Sequence, residues 1–265
     1  MAEKICAERG PIVSHARIAI VTADSGSIAE NIQRVRESMA HAADRAGRQV
    51  EEITLVAVSK TFPAEAILVA FEAGLQHFGE NRVQEWESKR PLVADFKATW
   101  HLIGHLQSNK VRRAASLFHR VDSVDSLSLA QKLDSAAAAE GKRVQILVEV
   151  HQGDETTKSG VAEADLPALA EGIAGLSNLE LRGLMTIPPF FEDINRVRPY
   201  FQKLRQLRDG LGGQLGGALP VLSMGMSHDF EIAIEEGATE IRVGSAIFGT
   251  RQAKARLKPR SARAL

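Results

Sequence analysis

Apolar residues along this chain follow two rhythms. Short runs rich in β-branched residues, of which residues 53–59 and 144–150 are the clearest, alternate with longer stretches whose apolar positions recur every three or four residues. The short runs predict eight strands, at 53–59, 76–79, 99–103, 120–121, 144–150, 180–185, 221–223 and 240–243. Helical stretches at 64–73, 82–89, 109–116, 126–140, 162–174, 193–211 and 229–236 fill the gaps. A further helix, capped by Ser27 and stopped at Gly47, carries Ile28, Ile32, Val35 and Met39 at helical spacing and precedes the first strand. Strand and helix in strict alternation predict a parallel sheet with crossover helices. A continuous apolar run such as 146–150 suits a strand covered on both faces. Eight such strands close without edges into a single α/β, (β/α)8 TIM-type barrel. An open doubly wound sheet is the competing arrangement, and it fits the strand count and the polar positions less well.

Composition narrows this reading. A chain of 265 residues, 44% hydrophobic, can bury one barrel of the usual size of about 250 residues. The expected layout is an N-terminal extension at 1–25, poorly ordered, a barrel at 26–251, and a basic tail at 252–265. Thirty-three Lys plus Arg balance 33 Asp plus Glu, so no net field directs the chain to nucleic acid or to a membrane surface. The six basic residues between Arg251 and Arg263 fit a solvated helix end better than a phosphate-contacting tail. Cys6 is the single cysteine, which excludes an intramolecular disulfide and a thiolate zinc cluster and fits a reducing, cytoplasmic setting. No run approaches the roughly 18 apolar residues of a membrane helix.

In an α/β barrel, functional groups gather after the C-terminal ends of the strands. Lys60 follows the first predicted strand, Glu80 and Asn81 the second, His105 and Gln107 the third, Asp122 and Ser123 the fourth, and Lys158 the fifth. Pro188 and Pro189 follow the sixth, 223–228 the seventh, and Gly244 with Ser245 the eighth. Lys60 ends an apolar strand, where partial desolvation lowers an amine's pKa and favours a Schiff base with an aldehyde; a plain surface cation is the alternative. The Gly- and Ser-bearing turns around Ser223 and around Gly244 and Ser245 could let backbone N–H groups cradle an anion, or could simply be turns. Strands one, seven and eight are neighbours in a closed barrel, so the amine and the cradle meet. Together they suit a phosphorylated aldehyde, and pyridoxal 5'-phosphate (PLP) is the common one. A Schiff-base enzyme acting on a sugar phosphate would use the same two features. Arg242, on the last strand, could donate to a ring nitrogen or form an ion pair with an acid such as Glu240.

Other residues carry less. His101 and His105 have helical ligand spacing, but Gly104 and the apolar run before it argue for strand and loop, so no metal site is expected. Glu80 could act as a base or orient the rim. His228 is expected at a helix start, and Met185, Met224 and Met226 could pack against a ring or within the core.

Several segments, taken in order, resemble a known family. They are 55–61, ending in Lys60-Thr61, then Phe78-Gly79-Glu80-Asn81-Arg82-Val83-Gln84-Glu85, and 101–110 from His101 to Lys110. Lys158-Ser159-Gly160, Arg182-Gly183-Leu184-Met185, Ser223-Met224-Gly225-Met226-Ser227-His228-Asp229 and 242–249 complete the set. The chain resembles the PLP homeostasis proteins over about residues 27–251. The resemblance implies an alanine racemase N-terminal-like barrel (PLP fold type III), and a role in intracellular PLP homeostasis and delivery without conventional catalysis. It further implies Lys60 as the Schiff-base lysine, Arg242 as partner of the ring nitrogen, Ser223, Gly244 and Ser245 on the phosphate, and Asn81 and Met224 beside the cofactor. His151-Gln152 departs from the family, in which Asn commonly comes first. Expected partners are PLP and PLP-requiring apoenzymes, from a monomer or weak homodimer. A racemase would need a second acid/base, usually a tyrosine from an added domain. The single tyrosine, Tyr200, falls on a predicted outer helix, and no such domain is expected after strand eight.

Overall fold

A computed structural model of the protein describes residues 22–153 and 159–249. Residues 1–21 of the expected extension, Lys158 and the basic tail lie outside the described residues.

Helix α1 (Thr22–Arg45) comes first, and eight parallel strands follow: β1 (Thr54–Val58), β2 (His77–Glu80), β3 (Thr99–Leu102), β4 (Arg120–Val124), β5 (Val144–Glu149), β6 (Leu179–Met185), β7 (Val221–Met226) and β8 (Glu240–Val243). Each hydrogen-bonds to the next and β8 closes on β1, pairing Val56 with Arg242, so the sheet is a closed barrel. Helices α2 (Ala64–Glu72), α3 (Val83–Lys89), α4 (Val111–Leu117), α5 (Leu127–Ala139), α6 (Leu166–Ala174), α7 (Arg198–Leu215) and α8 (Phe230–Glu235) are the crossovers, and α9 (Ser245–Phe248) follows β8. All eight predicted strands are present.

Helix α1 begins five residues before the expected cap, so Ser27 lies inside it. Its stripe of Ile28, Ile32, Val35 and Met39 is buried, and Gly47, at φ 64°, turns the chain away in the left-handed conformation glycine favours. Asn31 donates to the Ile247 carbonyl at 2.9 Å, and Arg45 pairs with Glu231 and Glu235. Helix α1 thus packs against α8 and α9. It covers ground that the four-residue α9 is too short to cover.

Two predicted strand ends were too early. Asp122 and Ser123, read as a loop, belong to β4 and are fully buried. The segment after Ser223 is also strand, with an irregular register against β8 between Ser223 and Met226. Both errors have one cause. Polar side chains facing a barrel's lumen break the apolar run without ending the strand.

The lower lumen is a charged layer. Arg120, 6% exposed, holds Asp122 through Nε–Oδ1 and Nη2–Oδ2 contacts of 2.6 and 3.0 Å, and donates to Glu240 across the barrel. His101 Nδ1 lies 3.5 Å from Asp122, and its Nε2 is 3.0 Å from His77 Nδ1. Burial pushes the Asp122 carboxyl upward, but Arg120 and His101 outweigh it and hold the group below the usual carboxylate range. His101, Asp122 and Glu240 approach one another closely enough to suggest metal ligands. The Arg120 guanidinium, however, already bridges the two carboxylates.

Candidate cofactor site

The upper lumen and the rim above it bring together most of the polar residues read from the sequence. Lys60, half-buried, follows β1 directly, and Asn81, also half-buried, follows β2. The β2 and β3 rims close tightly, since a Cβ on Gly104 would lie 2.5 Å from the Asn81 carbonyl oxygen.

Arg242 sits in the lumen at 3% exposure. It donates to Ser223 Oγ at 2.7 Å and to the Thr186 carbonyl at 2.8 Å. Both acceptors are neutral, and among the described residues no carboxylate lies within ion-pair distance of it. The alternative pairing with Glu240 is therefore absent, because Glu240 is engaged by Arg120. Burial lowers the Arg242 pKa, and Glu240, Asp122 and Glu149 oppose that from further away. Two bonds engage two of the five guanidinium N–H groups, so the side chain is fixed in orientation with donors to spare.

The two Gly- and Ser-bearing turns divide the work differently from the sequence expectation. Ser223 is fully buried beside Arg242. At the rim, Ser227 Oγ accepts from the Gly244 and Ala246 N–H groups at 3.2 and 3.3 Å. Ser245 is exposed where α9 begins. Gly244 lies against β1, where a Cβ would come 3.4 Å from the Val58 carbonyl oxygen. The cradle is thus next door to the strand that delivers Lys60. Asp229 Oδ1 accepts from the Met226 N–H at 2.6 Å and orders the turn that carries Ser227. Met224 is buried in the main apolar cluster.

The sequence placed Ser227 in the Gly- and Ser-bearing turn after strand seven without singling it out, and it did not reach Glu149. Glu149 ends β5 at the same level, nearly buried, and accepts from Ser159 Oγ at 3.0 Å. Burial raises its pKa, against Ser159 and Arg242. His105 stands 3.5 Å from Asp125 on the exposed rim. The departure at His151-Gln152 lies in the loop after β5, where the His151 N–H donates to the Val161 carbonyl at 2.9 Å. Tyr200 packs against Phe191 from α7, consistent with an outer-helix position.

A parallel barrel with a lysine after β1, an anion-suited rim on β7 and β8 and a buried arginine beneath it belongs to the alanine racemase class of barrels. The family model described as "Alanine racemase, N-terminal domain" matches residues 24–252. Curated relatives named "Pyridoxal phosphate homeostasis protein" include those of Aquifex aeolicus, 45% identical over 84% of this chain and 98% of the relative, and Pseudomonas aeruginosa, 46% identical over 85% and 96%. Among solved structures, PipY of Synechococcus elongatus PCC7942 with PLP bound is 38% identical, with a TM-score of 0.75, over 84% of this chain and all of PipY. Alanine racemase of Clostridium difficile, at 15% identity and a TM-score of 0.63, shares the fold over 58% of its own length. The chain belongs to the pyridoxal phosphate homeostasis protein family.

Proposed function

We propose that this chain binds pyridoxal 5'-phosphate, held as a Schiff base on Lys60, and serves in intracellular PLP homeostasis. The observation that carries this reading is Arg242, a buried cation held, among the described residues, only by the neutral oxygens of Ser223 and Thr186, one strand away from Lys60. Such a guanidinium suits a neutral aromatic nitrogen, where a carboxylate-paired one would already be satisfied. In this reading Lys60 supplies the amine, and the N–H groups near Gly244 and Ser245, with the Ser227 hydroxyl, receive the phosphate. Ser223 orients Arg242 and Asn81 flanks the cofactor, while Met224, expected beside it, packs in the apolar cluster on the opposite face of β7. Arg242 acts only as a donor, so it keeps a proton off the ring nitrogen it faces. When bound, PLP supplies an electrophilic carbonyl and, with a protonated ring, an electron sink. A donor-only partner suppresses the second property, which favours storage over turnover. The position of Tyr200, the chain's single tyrosine, points the same way. Delivery to PLP-requiring apoenzymes in the cytoplasm, by a monomer or weak homodimer, completes the reading.

The test is the absorbance of the purified protein between about 300 and 500 nm before and after borohydride, with intact mass and peptide mapping. A band that vanishes on reduction and leaves a phosphopyridoxyl mass on Lys60 is expected. No adduct after incubation with excess PLP would remove the proposal.

A further inference from the structure

Behind Lys60, in the layer between β1, β2 and α3, lies a charged cluster that the cofactor reading does not use. Gly79 faces the lumen, where a Cβ would lie 2.9 Å from Ile103 Cδ1; Glu80, the next residue on β2, faces the opposite side, toward α3. There it meets Lys89, 8% exposed, whose ammonium spends its three protons on three acceptors. These are the Ser59 carbonyl at 2.9 Å, Glu80 Oε1 at 2.8 Å and Glu85 Oε1 at 2.7 Å. Ser59 Oγ also donates to Glu80 at 2.8 Å. Glu85 Oε1 accepts, in addition, from the Thr61 N–H.

Those acceptors flank Lys60 on both sides. The Ser59 carbonyl belongs to the peptide before it, and the Thr61 N–H to the peptide after it. Thr61 has φ 70°, a left-handed conformation that β-branched residues rarely adopt, and it is the sole non-glycine residue among those described with positive φ. A turn of that kind persists only where its surroundings fix it. We propose that Glu85 and Lys89 are positioning residues for Lys60, tying the Ser59 carbonyl and the Thr61 N–H to one partly buried ammonium–carboxylate pair so that the lysine side chain leaves β1 toward the barrel mouth. The inference rests on Lys60 being the cofactor lysine.

Glu85→Ala is the informative variant, because Glu85 is partly exposed and its loss leaves the buried Lys89–Glu80 pair intact. Lys89→Met would instead strand the Glu80 carboxylate in the interior and confound the result with unfolding. Glu85→Gln keeps an oxygen for the Thr61 N–H. Glu87→Ala removes an acid from the same helix that pairs with Arg113 and touches nothing near Lys60. For each variant, the apparent Kd for added PLP is read from the Lys60-bound absorbance, the covalent fraction from borohydride trapping and mass, and Tm alongside. Glu85→Ala is expected to weaken covalent binding about tenfold, equivalent to about 1.4 kcal/mol. Glu85→Gln is expected to recover most of it, and Glu87→Ala to match the unmodified chain. A Glu85→Ala protein that forms the Lys60 adduct with unchanged affinity overturns the inference alone. So does a loss that follows Tm and that Glu85→Gln does not recover. No adduct in the unmodified chain overturns the cofactor reading and this inference with it.

Discussion

Replacing Arg120 with methionine tests how the barrel tolerates charges in its lumen. The guanidinium is held by Asp122 through two contacts and by Glu240 through a third, all at under a tenth exposure. Methionine fills similar length but leaves two buried carboxylates without their cation. Breaking a buried pair by removing one partner costs roughly 3–5 kcal/mol, a large share of the roughly 5–15 kcal/mol that holds a domain folded. The pH dependence carries the diagnostic sign. In the unmodified chain Asp122 is held below its ordinary range, so its contribution is present above the unfolded carboxylate pKa and is lost only as pH falls through the depressed folded value. In the variant, Arg120 no longer opposes the burial of Asp122, so its carboxyl moves up from the depressed value. The folded variant then takes up protons more readily than the folded unmodified chain, so its deficit is largest near neutral pH and shrinks as pH falls. Urea unfolding followed by circular dichroism at several values between pH 5 and 8 reads the difference between the two proteins. A deficit under about 1 kcal/mol, or one that does not change with pH, would refute the reasoning.

Arg242→Gln removes a charged donor from the neutral acceptors Ser223 and Thr186, and the expected result is PLP binding weaker by roughly ten- to a hundredfold, the equivalent of the 1.5–3 kcal/mol of a hydrogen bond to a charged group; equilibrium dialysis against PLP measures it. Gly104→Ala drives a Cβ to 2.5 Å from the Asn81 carbonyl oxygen, so a Tm loss corresponding to roughly 1–3 kcal/mol is expected, and an unchanged Tm would show that the β2 and β3 rims separate freely. His77 is pushed down to about 4 by burial, then by His101. It stays neutral in the fold while the unfolded chain takes a proton near 6.5, so stability present above that value is lost as pH falls toward 4, and His77→Gln is expected to flatten that part of the pH–stability curve.

The barrel was legible because its outer layer obeys simple periodicity. Strands β1, β5 and β6 are apolar enough to be located within a residue or so, and the helices between strands carry their stripes. The lumen was not legible to the same degree. The Asp122-Ser123 pair reads as a turn because nothing near it in sequence shows that Arg120 and Glu240, 120 residues apart, meet across the closed barrel. Lys89 ends the predicted helix at 82–89, and nothing near it in sequence shows that its ammonium is buried against β1 and β2. Ser227 reaches the Gly244 N–H only because β7 runs on past Ser223 with an irregular register.

These misses share a physical origin that also separates structure from function in this site. A polar side chain inside a barrel survives only if something pays its desolvation, and the identity of that partner is a property of three dimensions. Arg120 and Arg242 look alike in sequence: each lies on a short strand with a carboxylate residue two positions away. Arg120 is neutralised by two carboxylates and is spent on holding β4 to β8. Arg242, one layer higher, is steadied by two neutral oxygens, and in the proposed reading its charge and remaining donors serve the cofactor. The choice of acceptor, more than burial or residue type, makes one arginine a strut and the other a candidate binding group, and it is why the same lumen can be both a stabilising core and a cofactor pocket.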